Sequence, residues 1–187
     1  MKKMNLFKKL AVCLSAGALL SASVSAAAAP VGYSIPGSFT VSPFTTPGAT
    51  NISVCVHTML TYLAGSSPSH ADINAGLSTM TIPSYLNSHQ RRHRYVQAAN
   101  PTLTDFKHMV WYDIVTCQVP TLMRISGSGI ARWYYSPVGN GIMVTGITSD
   151  KMQVKIADPM GYVAAGCPVY YSKPTAVVQS YTHWICY

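Results

Sequence analysis

The chain has no glutamate: its five acidic residues are all aspartates, set against thirteen lysines and arginines. It is also poor in charge as a whole, at 10% of residues. The formal charge of +8 overstates the basicity of the folded part, because Lys2, Lys3, Lys8 and Lys9 belong to an N-terminal leader. Without them the balance is 9 − 5 = +4. A surplus of that size suits solubility or adhesion to anionic cell-wall material and does not specify nucleic acid, so no nucleic-acid partner is expected. No spacing of His, Cys and carboxylates resembles a metal motif, which argues against metal catalysis, and no cofactor is expected. Internal repeats and low-complexity tracts are lacking too.

The leader reads as a secretory signal peptide over residues 1–29. Its four lysines precede an apolar stretch from Leu10 to Leu20, and Val24-Ser-Ala26 satisfies the small-x-small cleavage rule, with alternative cleavage a few alanines later. That stretch is shorter than the roughly 20 residues a spanning helix needs, and no later one is long or apolar enough. The expected product is a secreted or cell-surface protein with no membrane span. Roughly 160 residues remain, enough for one domain or two small lobes sharing a core.

Cys13 leaves with the leader, so Cys55, Cys117, Cys167 and Cys186 remain. An even count in an exported chain reads first as two disulfides, in any of three connectivities. If Cys55 is a free nucleophile, one of the other three is left over.

Residues 30–53 are rich in Pro, Gly, Ser and Thr and read as an extended arm with no strong element of its own. Helix signals follow. Ser53 is an N-cap for the segment carrying Cys55, and Gly65 is its stop. Ser69-His-Ala-Asp72 has capping-box spacing ahead of Ile73 to Met80, and Pro83 opens another short helix. Leu103, Phe106, Val110 and Ile114 form an apolar stripe made for a core, on a helix running from an N-cap at Thr104 to about Thr116. After Cys117 the pattern changes to short runs rich in β-branched and aromatic residues: Val119 to Ile125, Ile130 to Tyr135, Ile142 to Thr148 and Met152 to Ala157. A short helix over Val177 to Trp184 closes the chain. Helices first and antiparallel strands second predict an α+β domain over 54–187, with a helical lobe at 54–117 and a β lobe at 118–187.

A helix N-terminus favours a thiolate and lowers a cysteine's pKa, and Cys55 is placed for that. Downstream come Gly139-Asn-Gly-Ile-Met-Val-Thr-Gly-Ile147 and Ala157-Asp-Pro159. A cysteine on the first helix, then further helices, then a Gly-His-x-x-x-Val-x-Gly strand, a turn and a strand ending in Asp-Pro resembles the papain-like cysteine peptidase clan. The likeness is to its compact bacterial members, the double-glycine-leader (bacteriocin-processing) peptidases and the staphopains, and runs from about Ile52 to Tyr187. The resemblance implies Cys55 as nucleophile, Asn140 in the position of the general-base histidine, Asp158 as the residue orienting that base, and a papain-like fold.

Two departures qualify it. The family's oxyanion stabiliser is a Gln a few residues before the nucleophile, whereas the first Gln after the leader is Gln90; Asn51 is the one nearby amide, either a partial substitute or a turn residue. An Asn at 140 cannot take a proton from a thiol near neutral pH. No histidine lies between His108 and His183, so only His57 and His183 are left as displaced bases.

The resulting expectation is a catalytically degenerate peptidase-fold protein that binds a peptide or cell-wall component. The alternatives are an active cysteine peptidase or acyl transferase using a displaced histidine, and a disulfide-stapled secreted structural or adhesion module. Gln90-Arg-Arg-His-Arg94 is a second, basic cluster, able to meet phosphate or teichoic-acid groups or to form a solvated helix face.

Overall fold

Thr50, rather than Ser53, opens the first helix of the computed structural model, which describes residues 29–44, 46–127 and 132–187. The expected leader lies outside those residues apart from its last position, as do Ile130 and Ala131 of an expected strand. Helix α1 spans Asn51–Ala64, and Thr50 and Ser53 cap it reciprocally: each side chain accepts the other's backbone N–H. Gly65 ends it at φ 77°, the left-handed conformation glycine adopts without penalty.

Ser69 caps α2 (His70–Leu77) by accepting the Asp72 N–H, so that helix begins three residues before the expected Ile73. Thr81 caps α3 (Ile82–His89), with Pro83 in its first turn. Helix α4 (Leu103–Trp111) is capped by Thr102 rather than Thr104 and continues as a π-helical turn over Tyr112–Cys117. Of the expected stripe, Phe106, Val110 and Ile114 are fully buried, whereas Leu103, the first residue of α4, is exposed.

Seven strands form one antiparallel sheet: β1 Gly32–Ser34, β2 Gln97–Ala99, β3 Thr121–Ser126, β4 Val138–Thr148, β5 Gln153–Ala157, β6 Tyr170–Pro174 and β7 Thr182–Cys186. Their order is β2-β7-β3-β4-β5-β6, with β1 paired to the end of β4. Helix α5 (Thr175–Tyr181) joins β6 to β7, so the expected final helix is in fact a helix that turns into a strand at Thr182.

The chain is thus α+β, with five helices and seven strands among the described residues. Segregation into lobes is incomplete. The arm contributes β1, the helical part contributes β2, and α5 interrupts the strands. Residues 132–135, expected in a strand, form turns; Trp133 is buried there as a core side chain without any ladder partner.

Side-chain alternation along the strands gives the sheet two packed faces. On one, Leu122, Met143, Ala157 and Cys186 meet Val54, Cys55 and Met59 of α1. On the other, Met123, Ile125, Ile142, Val144, Ile156 and Ile185 meet Phe106, Val110, Ile114 and Val178.

Two bulges break the ladders at the same level on either side of β3. Ile125 pairs with Asn140 while Ser126 pairs with Val138, which leaves Gly139 as the extra residue of β4, at φ 75°. Arg124 pairs with Trp184 while Ile125 pairs with Thr182, which leaves His183 as the extra residue of β7.

Candidate functional site

Cys55 is the fifth residue of α1, beyond the first turn in which the free N–H groups act most strongly on a charge. It has no solvent exposure. Burial, with a smaller contribution from the charge of Asp158, pushes its thiol well above the ordinary range. Its Sγ faces Gly141 of β4, where an added Cβ would stand 3.0 Å away. Asn51 joins the same contact, since its Oδ1 accepts the Gly141 N–H, while its Nδ2 is buried without a partner. Asn51 therefore ties the start of α1 to β4. The residue weighed as an oxyanion donor uses its carbonyl as an acceptor.

Asn140 is Gly141's neighbour and so projects to the opposite face of the sheet, the face of its cross-strand partner Ile125. Its Oδ1 accepts the Val138 N–H at 2.8 Å, which closes the bulge at Gly139. Asp158 follows β5 and is fully buried. Its Oδ2 accepts the hydroxyls of Tyr171 (2.7 Å) and Tyr135 (2.9 Å), and its Oδ1 accepts the Met160 N–H. Burial raises its pKa, and these hydrogen bonds pull the other way. Cys55, Asn140 and Asp158 gather at one end of β4 and β5, but among the described residues no hydrogen bond joins any two of them.

Neither displaced histidine touches the thiol through a hydrogen bond. His57 bonds to Ser42 Oγ of the arm at 2.9 Å and stacks on His70 at 4.7 Å between ring centroids. His183 is exposed on its bulge in β7. Cys55, Cys117, Cys167 and Cys186 are free, with no pair at bonding distance, so the two expected bridges are not formed. Cys55 is on α1, Cys117 ends the π-turn, Cys186 ends β7, and Cys167 lies beside Asp158; burial, then that carboxylate, moves the Cys167 thiol up to about 12.

Residues 90–94 form a loop after α3 rather than a helix face. The buried Gln90 side chain pins it, accepting the Arg92 and His93 N–H groups and donating to the His93 carbonyl at 2.6 Å. His93 Nε2 lies 3.5 Å from Oδ1 of the buried Asp113 without a hydrogen bond between them, and burial lowers the histidine's pKa, which works against a charged pair. Arg91, Arg92 and Arg94 have no carboxylate within 4.0 Å there. Asp113 is pushed well up by burial, against the hydrogen bond from Thr121.

A cavity of about 360 Å³ lies on the α1 face of the sheet, at the two bulges. Asn100, Arg124, Ser126, Val138, Gly139, His183 and Trp184 line it. Arg124 pairs across β3 and β4 with Gly141, so this cavity adjoins the glycine that covers Cys55. None of its residues except His183 and Gly139 stood out in the sequence. The signal of the others is their register, which short strands do not announce.

Among the described residues no three His, Cys or carboxylate side chains gather to hold a metal ion, and no helix is long and apolar enough to cross a membrane. Comparison with protein-family models, with curated proteins and with solved structures finds no match to this chain.

Proposed function

We propose that this chain is an exported protein of the papain-like cysteine peptidase fold whose catalytic machinery is degenerate, and that it acts as a peptide- or cell-surface-binding module. The observation that carries the reading is the state of Cys55: a fully buried thiol, held neutral by burial, with Gly141 against it and no histidine bonded to it. A nucleophilic cysteine needs access and a thiolate, and this one has neither. Asn140, in the base position of the resemblance, is committed to its own bulge. The element order, with a helix bearing Cys55 seated on the strand that carries Asn140 and with Asp158 at the end of the next strand, supports the family reading.

The active-peptidase alternative requires His57 or His183 to reach the thiol, and the bonds and positions of both work against it. Four free thiols work against a disulfide-stapled module. The test is to expose the purified protein to an active-site-directed thiol reagent and to a peptide panel. The expected result is no hydrolysis and no fast labelling at Cys55. Rapid single labelling that is lost in Cys55→Ala would overturn the degenerate reading.

A further inference from the structure

We propose that the cavity between the two bulges is a carboxylate-binding site built around Arg124, and that it takes the C-terminal carboxylate of a peptide; the peptide part rests on the function proposed above. Three irregular backbone positions converge there. Gly139 is the extra residue of β4 at φ 75°, His183 is the extra residue of β7, and Asn100 is held at φ 44°, its N–H bonded to the His183 carbonyl at 2.8 Å. Bulges and left-handed residues re-aim side chains and concentrate at functional sites.

What they position is a cation without a counter-ion. Arg124 Nε donates to the Gly139 carbonyl at 3.2 Å, and the guanidinium lies so close to that glycine that a Cβ would stand 2.7 Å from Nη2. Glycine at 139 therefore serves two ends, the positive φ and the flat seat of the guanidinium. Fixing Nε leaves the two terminal amino groups for a ligand, and no carboxylate of the described residues lies within 4.0 Å of them.

The surroundings select among anions. A planar guanidinium fork matches a carboxylate or a phosphate. One permanent positive charge, accompanied by the amide of Asn100, the hydroxyl of Ser126 and the imidazole of His183, matches the single charge of a carboxylate better than a phosphate dianion. Half-buried Trp184 and Val138, which is 84% exposed, give an apolar wall for the last side chain of a peptide. A volume of about 360 Å³ suits a terminal residue or two.

The experiment titrates the purified protein with N-acetyl-Ala-Ala-Phe as the free acid and as the C-terminal amide, following backbone amide resonances. The free acid is expected to bind roughly tenfold or more tighter than the amide, with shifts at Gly139, Trp184 and His183. Arg124→Gln is expected to remove that difference by weakening the acid far more than the amide, in a variant whose dispersed amide resonances show it folded, and Arg124→Lys to restore part of it. Equal binding of acid and amide overturns the carboxylate site and leaves the peptide groove standing. Binding of neither overturns the peptide reading with it. Inorganic phosphate shifting the same resonances at lower concentration than the acid peptide overturns the carboxylate assignment in favour of a phosphate site.

Discussion

The Cys55 thiol rests against Gly141, which has no side chain to keep it away: a Cβ there would come within 3.0 Å of Sγ and 2.7 Å of Ile52 Cδ1. The first turns of α1 are thereby seated on β4, and the Asn51 carbonyl fixes the contact by accepting the Gly141 N–H. Gly141→Ala forces α1 or the strand to move and is predicted to lower stability by about 1–3 kcal/mol, as overpacking does. Urea unfolding measures it. Pairing the change with Cys55→Ala should recover part of the loss, since the smaller side chain vacates the space; an unchanged midpoint in the single variant would show that the seat is loose.

Thiol counting addresses the cysteines. In denatured, unreduced protein prepared as residues 30–187, four reactive thiols are expected, from Cys55, Cys117, Cys167 and Cys186. Under native conditions Cys117, the one that is partly exposed, should react first and Cys55 last. A count of zero would mean that the protein forms two bridges.

Asp158 makes stability depend on pH. Its folded pKa is raised, chiefly by burial, so the folded state holds the proton more tightly than the unfolded chain does. Stability from this group is full below the ordinary carboxylate range and is lost as pH rises from about 4 through the raised folded value. The stability of the wild type relative to Asp158→Asn should therefore fall over that window, read from denaturant midpoints at a series of pH values. A difference that grows with pH would mean that the hydrogen bonds from Tyr171 and Tyr135 outweigh burial.

His57 acts in the opposite sense. Burial, then neighbouring His70, lower its pKa, so the folded state resists protonation. The unfolded chain takes up the proton first, and stability falls as pH drops below about 6.5. Thermal melts between pH 8 and pH 5 should show a steeper loss in the wild type than in His57→Gln, and the arm around Ser42 should be the first segment to gain hydrogen exchange. Parallel curves would remove His57 from the account.

Much of the helical half was legible because caps and stripes are local. Gly65, Ser69 and Pro83 mark their helices from sequence alone, and Phe106, Val110 and Ile114 announce a buried face. Thr50 and Ser53 are both good caps three residues apart, and only the reciprocal bonds decide which is outside the helix. The short strands β1, β2, β6 and β7 exist through their partners: Gly32–Ser34 has no strand signal until β4 offers an edge. The site was half visible. Cys55 and Asp158 stand out by type and place, but Tyr135 and Tyr171, which define the aspartate's environment, lie 23 and 13 residues from it and only the β5–β6 pairing and the turn before β4 bring them in. Gln90 reads as one more polar residue in a basic run; its burial follows from the loop folding back so that its side chain bonds to Arg92 and His93.

The bulges at Gly139 and His183 carry a consequence for how this surface is edited over time. Each is a single supernumerary residue in a strand that otherwise keeps register with β3. Deleting either one would let the flanking ladder close without a break, and the recess beside Arg124 would be erased by a change of chain length alone, with the guanidinium itself untouched.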